Sequence, residues 1–322
     1  MPVPKRQHFI PRMHLQHFAG PEPKGHVWTY DAQTGQARHT IPEETGLESH
    51  FYSVESDDGT MDTRIEAMLS EAETRAAPVY GLLLKGETPG ETQDRMNFAE
   101  FLALMYLRTP TMRRMNAEMI GRHMQIMCHA YGIDDRAFDA MLQRTGEATR
   151  RPPLTPEQKE RLRRDFIDPS GYKFQISRER TLEVLGASEQ LAPLLFQMTW
   201  SIIAPRRGFF VTSDNPLIRD VDPATRHPIY GDHGFLNKTA QVLMPLSPDR
   251  LLFMSWNKDF SGKAVCEPNQ VDGVNRALAE KSDRYLYAHA YSKELLELSA
   301  EFKDSRPQMT TEGFGLSIGV EY

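Results

Sequence analysis

The sequence contains little cysteine and no long hydrophobic run. Its 322 residues include two cysteines, Cys128 and Cys266, whose spacing fits neither a disulfide framework nor a paired metal motif. We expect both to be reduced thiols, which is typical of a cytoplasmic protein. The longest apolar runs, residues 79–84 and 200–204, are too short to cross a bilayer, and the first residues lack the apolar stretch of a secretory signal. The sequence therefore predicts a cytoplasmic protein with no membrane association.

The short motifs that identify many enzymes are also missing. The chain has no glycine-rich phosphate loop, no nucleophile elbow, no His-Glu-x-x-His and no Cys-x-x-Cys. The sequence therefore names no cofactor and no metal ligands. Its 44 acidic residues outnumber its 38 basic residues, giving a net charge of −6, which argues against a surface built as a whole for nucleic acid. A local basic patch would still be compatible with that balance.

The hydrophobic pattern predicts an α+β fold. Aromatic and β-branched residues on both sides of a turn ending in Gly35 predict an N-terminal hairpin, with a positive φ at the glycine. Helical spacing of apolar residues covers about residues 62–200, and strands return after it. We predict a mainly antiparallel sheet built from N- and C-terminal strands around this helical insertion, with residues 27–30, 209–212 and 242–244 in one sheet. The tail after about residue 305 is expected to be loose.

Six separate segments of the chain resemble, in the same order, a bacterial family known only as domain of unknown function 4238. They are residues 7–19, 27–31, 48–54, 106–110, 210–216 and 244–248. The resemblance implies one continuous domain over residues 1–322 and implies little about activity. The chain departs from the family at His14, where members usually carry an aromatic residue, so a role for His14 in a shared mechanism is not expected.

A first group of polar residues lies near the N-terminus. If Pro11 opens a helix, His8 and Arg12 lie near one face of it, and His14 and His17 are three residues apart. A histidine can transfer a proton near neutral pH, and an arginine can hold a phosphate or carboxylate through two donors. Alternatively, His8 anchors the helix while His14 and His17 are solvated.

A second group, Thr-Ser-Asp-Asn-Pro at residues 212–216, follows an apolar predicted strand. Polar side chains at the end of a strand are held rigidly and often face a crevice. Asp214 could act as a general base, Ser213 as a nucleophile, and Asn215 as a donor to developing negative charge. These residue types also form turns by bonding to their own backbone, and that alternative stays open.

These residues suggest a hydrolase that acts on a phosphate-bearing substrate, such as a nucleotide or nucleic acid. His8 and Asp214 would be an acid–base pair sharing one pocket, with Ser213 and Asn215 beside them, and Arg12 and Arg108 would bind anionic groups. Arg108 could instead form a structural ion pair.

The alternative function is a non-catalytic regulatory protein that binds a protein partner through a methionine-rich helical surface. Methionines recur at helical spacing from Met105 to Met127. Because methionine more often fills irregular cores, we expect most of them to be buried.

Overall fold

The computed structural model of the protein describes residues 6–55, 61–150, 152–225 and 232–304. The chain divides into two compact units, a larger one of Met1–Arg113 with Leu182–Tyr322 and a smaller one of Arg114–Thr181. All the described strands belong to the larger unit. They are β1 (Arg6–His8), β2 (Gly20–Pro21), β3 (Lys24–Asp31), β4 (Gln36–Thr40), β5 (Leu47–Ser49), β6 (Val54–Glu55), β7 (Met61–Asp62), β8 (Thr199–Pro205), β9 (Thr212–Ser213), β10 (Ile218–Asp220), β11 (Gln241–Ser247), β12 (Arg250–Ser255), β13 (Gly262–Cys266) and β14 (Tyr285–Ala288).

Most of the described helices lie in the middle of the sequence, as the apolar spacing predicts. The α-helices are α1 (Arg12–Gln16), α2 (Arg64–Leu84), α3 (Thr92–Leu107), α4 (Pro110–Ile133), α5 (Asp135–Thr149), α6 (Pro156–Ile167), α7 (Arg178–Leu182), α8 (Ser188–Gln197), α9 (Pro268–Lys281) and α10 (Lys293–Glu301). The α+β prediction is confirmed. The expectation of a loose tail after residue 305 falls outside the described residues.

One sheet joins strands from the two ends of the chain. Its order is β2-β3-β14-β9, and β4 also pairs with β3. Tyr30 of β3 lies opposite Ala37 on one side and Leu286 on the other, and all these pairings are antiparallel. The prediction of a mainly antiparallel sheet from N- and C-terminal strands is therefore confirmed.

The turn between β3 and β4 shows why the hairpin could be recognised from sequence. The carboxylate of Asp31 accepts the backbone N–H of Gln33 at 3.0 Å, and Gly35 adopts a φ of 65°. That left-handed backbone strains any residue with a Cβ, so glycine is favoured at this position.

A second sheet has the order β10-β11-β12-β8-β13 and is antiparallel except between β8 and β13. It contains residues 242–244, so the prediction that they share a sheet with residues 27–30 is wrong. Residues 209–211 are also not a strand, because their backbone groups bond to the Asn275 side chain and to the carbonyl of Pro248 instead of to a neighbouring strand. Asn275 donates to the carbonyl of Phe209 at 2.9 Å and accepts the N–H of Val211 at 3.0 Å. Alternating apolar residues predict extended chain but not its partner.

The main core of the larger unit surrounds α3. This helix packs against α2 and α8, and apolar residues on every side of it are buried, from Phe98 to Leu107. A helix that is hydrophobic all round must lie inside a protein. The same core includes Trp200 of β8 and Met244 of β11, so it extends onto the second sheet.

The smaller unit is helical in its described part and starts two of its helices with side-chain caps. Asp134 accepts two backbone N–H groups at the start of α5, and Thr155 forms a capping box at the start of α6 with Gln158. Among its described apolar residues only Phe138 is fully buried, and its ring meets Phe166 edge-on.

The expectation that the methionines from Met105 to Met127 are mostly buried is wrong for half of them. Met105 is buried in the larger unit, and Met112 and Met115 are partly buried. Met119, Met124 and Met127 are exposed, because the part of α4 beyond Arg113 belongs to the smaller unit, which has little apolar interior to receive them.

Candidate functional site

The Thr-Ser-Asp-Asn segment at residues 212–215 lies inside the larger unit and is buried along its whole length. It is positioned by β9, where Thr212 pairs with Tyr287 and Ser213 with Leu286 of β14. The Ser213 hydroxyl accepts the backbone N–H of Asn215 at 3.1 Å and donates to its carbonyl at 2.9 Å. Ser213 therefore closes a local turn, which is what the turn interpretation of this motif predicts.

Asp214 connects this turn to the start of β14. One carboxylate oxygen accepts the N–H of Asp283 at 2.8 Å, and the other accepts the N–H groups of Arg284 at 2.7 Å and Tyr285 at 2.8 Å. Burial, helped by the neighbouring charge of Asp283, raises the pKa of Asp214 to about 7, while the three N–H donors act in the opposite direction. Asp214 can therefore gain and lose a proton near neutral pH.

Asp214 lies in the wall of a cavity of about 270 Å³, which we call the Asp214 cavity. Elements from both ends of the chain line it, together with the first residue of α4. The lining residues are Phe9, Thr29, Arg38, Thr40, Glu44, Thr45, Gly46, Leu47, Glu48, Pro110, Asp214, Asp283, Arg284, Tyr285 and Tyr287. Glu44, Glu48 and Arg38 are exposed and reach the cavity from the solvent side, whereas Asp214 is buried.

Arg284 is held at the cavity wall by an ion pair. Its guanidinium donates to both carboxylate oxygens of Asp31, at 2.9 Å and 2.6 Å, in a two-point arrangement. The Asp31 side chain raises the pKa of Arg284, so this guanidinium stays charged. Its charge is largely balanced by Asp31 before any ligand is present.

His8 and Arg108 meet each other away from that lining. Arg108 is buried, and its guanidinium donates to the carbonyl of His8 at 2.6 Å, to Glu73 at 2.6 Å and to the Tyr52 hydroxyl at 3.1 Å. Burial lowers the pKa of His8, so its ring is neutral at pH 7. The buried guanidinium of Arg108 therefore links β1 to α2 and α3.

The structure does not unite the predicted acid–base pair in the Asp214 cavity. Asp214 lines it, but His8, Arg12 and Arg108 do not. Arg12 is exposed on α1, with Glu43 as its ion-pair partner at 3.9 Å. Asn215 donates to the carbonyl of Lys281 at 3.0 Å and also lies outside the lining. Of the candidate catalytic and substrate-binding residues, Asp214 alone lines this cavity.

His14 is completely buried, which excludes the alternative in which it is solvated. The Tyr80 hydroxyl donates to the carbonyl of Leu246 at 2.8 Å, and so accepts from Nδ1–H of His14, also at 2.8 Å. Nε2 then accepts from the Thr212 hydroxyl at 2.9 Å. Burial lowers the pKa of His14 to about 3, which keeps the ring neutral. An aromatic residue could fill this volume but could not accept from Thr212.

The sequence interpretation missed most of the cavity. Asp283, Arg284 and Tyr285 lead into β14, and their polar character just before its apolar residues was the available signal. Arg38 and Glu44 come from β4 and the segment before β5, and no local motif marks them, whereas Glu48 of β5 begins one of the six segments that resemble the family. Among the described residues, no group of three or more His, Cys, Asp or Glu side chains could hold a metal ion. Nor does any described helix combine the length and apolarity needed to cross a membrane.

Comparison with known proteins gives one result. The family model described as "Protein of unknown function (DUF4238)" matches residues 6–292. No curated protein and no solved structure matches the chain.

Proposed function

The chain belongs to the DUF4238 family, and because that description states no activity, we propose from the site alone that the protein is a hydrolase working in the Asp214 cavity. The observation that supports this proposal is a buried carboxyl with a pKa of about 7 in the wall of a cavity. Enzymes commonly place a carboxyl of shifted pKa where it must take up and release protons near pH 7.

In this proposal Asp214 activates water. An ionised carboxylate has about four lone-pair positions, and backbone N–H groups occupy three of those on Asp214. The oxygen that accepts only from Asp283 keeps one position for a water or substrate proton. The three N–H bonds fix the carboxylate rigidly, which favours catalysis because the base needs no reorganisation during the reaction.

The charge of the lining bears on the substrate class. The carboxyls of Glu44, Glu48, Asp214 and Asp283 outnumber the guanidinium groups of Arg38 and Arg284. Arg284 is already paired with Asp31, which leaves Arg38 as the main counter-charge for an anionic substrate. A phosphate dianion would meet net repulsion here. We therefore propose a small polar substrate of neutral or positive charge, such as an ester or amide, in preference to the phosphate-bearing substrate suggested by the sequence.

The remaining candidate residues support the site from a distance. Ser213 and Asn215 form the turn that carries Asp214, and Arg108 fixes β1, whose neighbour Phe9 lines the cavity. Asp214 takes the proton from the attacking water and returns it to the leaving alcohol or amine, so neither Ser213 nor His8 is required as a nucleophile or base.

The test compares p-nitrophenyl acetate, lysine p-nitroanilide and p-nitrophenyl phosphate as substrates of the wild-type protein, Arg38→Gln and Glu48→Gln. Both side chains are exposed, so these changes leave the fold intact. We expect turnover of the ester or the anilide, and a loss of about tenfold or more in kcat/KM for at least one variant. Glu43→Gln is the matched control, because Glu43 precedes Glu44 but does not line the cavity. Equal rates for all four proteins would contradict the proposal.

A second candidate function rests on a different observation. The α4 surface exposes Met119, Met124 and Met127, at 48%, 37% and 45% of their surface, together with Ile126 and Ile133. Flexible, polarisable methionines suit a surface that adapts to a protein partner. Light scattering coupled to gel filtration would test it: a mass above that of the monomer that returns to the monomer in Met119→Lys would favour partner binding through α4.

A further inference from the structure

An open cavity of about 350 Å³ lies at the edge of the first sheet, apart from the Asp214 cavity. We call it the Trp28 pocket after its largest side chain. Its lining comes from the start of the β2–β3 hairpin, from β3 itself and from the segment after β14, namely Pro21, Glu22, Trp28, His289, Ala290 and Tyr291. The size is in the range of small-molecule sites. None of these residues takes part in the hydrolase proposal.

Two aromatic faces form the corner of the Trp28 pocket. The ring centroids of Trp28 and Tyr291 are 5.1 Å apart, and their planes are inclined at 57°. Tyr291 is 52% exposed, although tyrosine rings usually gain stability when they are covered. A group bound in the pocket contacts both residues, and the face of an aromatic ring carries negative charge.

The corner is held rigidly by buried groups. Trp28 is paired in the sheet on both sides, with His39 of β4 and Ala288 of β14. The buried Tyr30 hydroxyl donates to the carbonyl of Ala290 at 3.0 Å and accepts the N–H of Ser292 at 2.7 Å, so it fixes the residues on either side of Tyr291. The backbone that carries both rings is therefore held in place before any ligand binds.

The backbone at Gly20 lies in close contact with the backbone at His289. A Cβ added at Gly20 would lie 1.7 Å from the carbonyl oxygen of His289. Only glycine therefore lets the β2 edge approach the segment that carries His289 and Tyr291.

The charge of the lining residues determines whether the pocket attracts a cation or an anion. Glu22 is exposed and is the one carboxyl in the lining. Burial lowers the pKa of His289, so its imidazole is neutral at pH 7 and adds no positive charge. A carboxylate beside two ring faces attracts a cation, because the quadrupole of each ring is negative over its face. A weakly hydrated cation loses the least hydration free energy when it moves from water into such a pocket.

We propose that the Trp28 pocket binds the positively charged head of an organic amine, a quaternary or methylated ammonium group. The rings of Trp28 and Tyr291 contact the ammonium methyl groups, and Glu22 neutralises the charge. Quaternary ammonium ions are recognised by this combination of aromatic faces and a carboxylate. The site is independent of the Asp214 cavity, so the proposed hydrolase activity is neither required for binding nor tested by it.

Saturation-transfer NMR on the protein tests this proposal with choline as the probe. Its neutral isostere, 3,3-dimethyl-1-butanol, has the same shape without the charge. We expect saturable binding of choline and at least tenfold weaker binding of the isostere, the size of one well-placed cation–π contact or more. Equal affinity for the two molecules would overturn the proposal, as would the absence of saturable choline binding. So would tighter binding of methyl glucoside, a neutral molecule that stacks on aromatic rings.

Substitutions at Tyr291 separate a ring contact from a hydrogen bond. Tyr291→Phe keeps the ring, and choline affinity should stay within about twofold. Tyr291→Leu removes the ring, and affinity should fall about tenfold, while Phe260→Leu is a control at an exposed ring outside the pocket. Glu22→Gln should weaken choline binding more at low salt than at high salt. Unchanged affinity in Tyr291→Leu, with the fold verified by circular dichroism, would overturn the proposal.

Discussion

Asp214 and Tyr285 are joined by two reciprocal hydrogen bonds. The Asp214 carboxylate accepts the N–H of Tyr285 at 2.8 Å, and the Tyr285 carbonyl accepts the N–H of Asp214 at 3.0 Å. These residues are far apart in sequence, so the side chain does more than close a local turn. It joins β9 to the start of β14 in the wall of the Asp214 cavity.

The first prediction concerns the contribution of Asp214 to the free energy of unfolding. Asp214→Asn should lower the free energy of unfolding by about 2–4 kcal/mol, because the amide cannot accept all three buried N–H groups and each unsatisfied donor costs about 1–3 kcal/mol. The measurement is urea unfolding at pH 7. Asp220→Asn is the matched control, since it breaks only an exposed ion pair with Lys281 at 3.4 Å and should cost well under about 1 kcal/mol. Similar costs for the two variants would show that Asp214 makes only a turn.

The second prediction concerns the pH dependence contributed by Asp214. Its pKa in the folded protein is about 7, above the ordinary value of roughly 3.9 expected in the unfolded chain. The folded state therefore binds the proton more tightly, and this contribution to stability is complete below about pH 4 and is lost as the pH rises towards 7. Unfolding of wild type and Asp214→Asn should be followed from pH 4 to pH 8. The wild type should lose stability relative to the variant over that interval, and a constant difference would be the contrary result.

The third prediction concerns the buried charge of Arg108. Arg108→Met should cost about 3–5 kcal/mol, because it leaves Glu73 partly buried without its partner. Adding Glu73→Gln should recover part of that loss, which a double-mutant cycle measures. Arg75→Met is the control, since Arg75 is more exposed in its pairs with Glu71 and Glu100 and its loss should cost about 1 kcal/mol or less. A double-mutant cycle that shows no coupling energy between Arg108 and Glu73 would contradict this structural role of Arg108.

The fourth prediction concerns the protonation of His14. The hydrogen-bond directions place the proton on Nδ1, and the pKa of about 3 keeps the ring neutral down to about pH 4. Because the unfolded chain takes up a proton near pH 6.5, this group stabilises the folded state above that pH and its contribution falls as the pH drops towards 3. Nitrogen-15 NMR of the imidazole should show the Nδ1–H tautomer at pH 5. A charged ring at that pH would contradict the network with Tyr80 and Thr212.

The sequence predicts the local elements better than their partners. Gly35 and Thr155 were recognisable because a positive φ and a capping box depend on a few neighbouring residues. The pairing of β14 with β3 could be expected from two apolar segments, but the placement of residues 242–244 in another sheet could not, since apolar alternation carries no information on strand order. Arg38 and Arg284 reach the same cavity only through that tertiary pairing.

Asp214 shows the same limit within the site. Its position after an apolar run left open whether it faces a crevice or forms a turn, and the structure shows a buried turn residue that also lines the Asp214 cavity. Its three N–H donors lie some seventy residues further along the chain, so neither their number nor the resulting pKa could be read from residues 212–216. The pairing with His8 was inferred from similar polar motifs alone, and nothing in the sequence fixed the distance between them.

The pKa of the Asp214 carboxyl is the most direct test of the proposal that the Asp214 cavity is an active site. Carbon-13 NMR of protein labelled at the aspartate carboxyl carbons can follow each resonance from pH 3 to pH 9. The resonance of Asp214 is assigned by its absence from the spectrum of Asp214→Asn. We predict a midpoint near pH 7 for this resonance. A midpoint below pH 4 would show a permanently ionised carboxylate that only holds three backbone N–H groups, and it would contradict the proposed acid–base role.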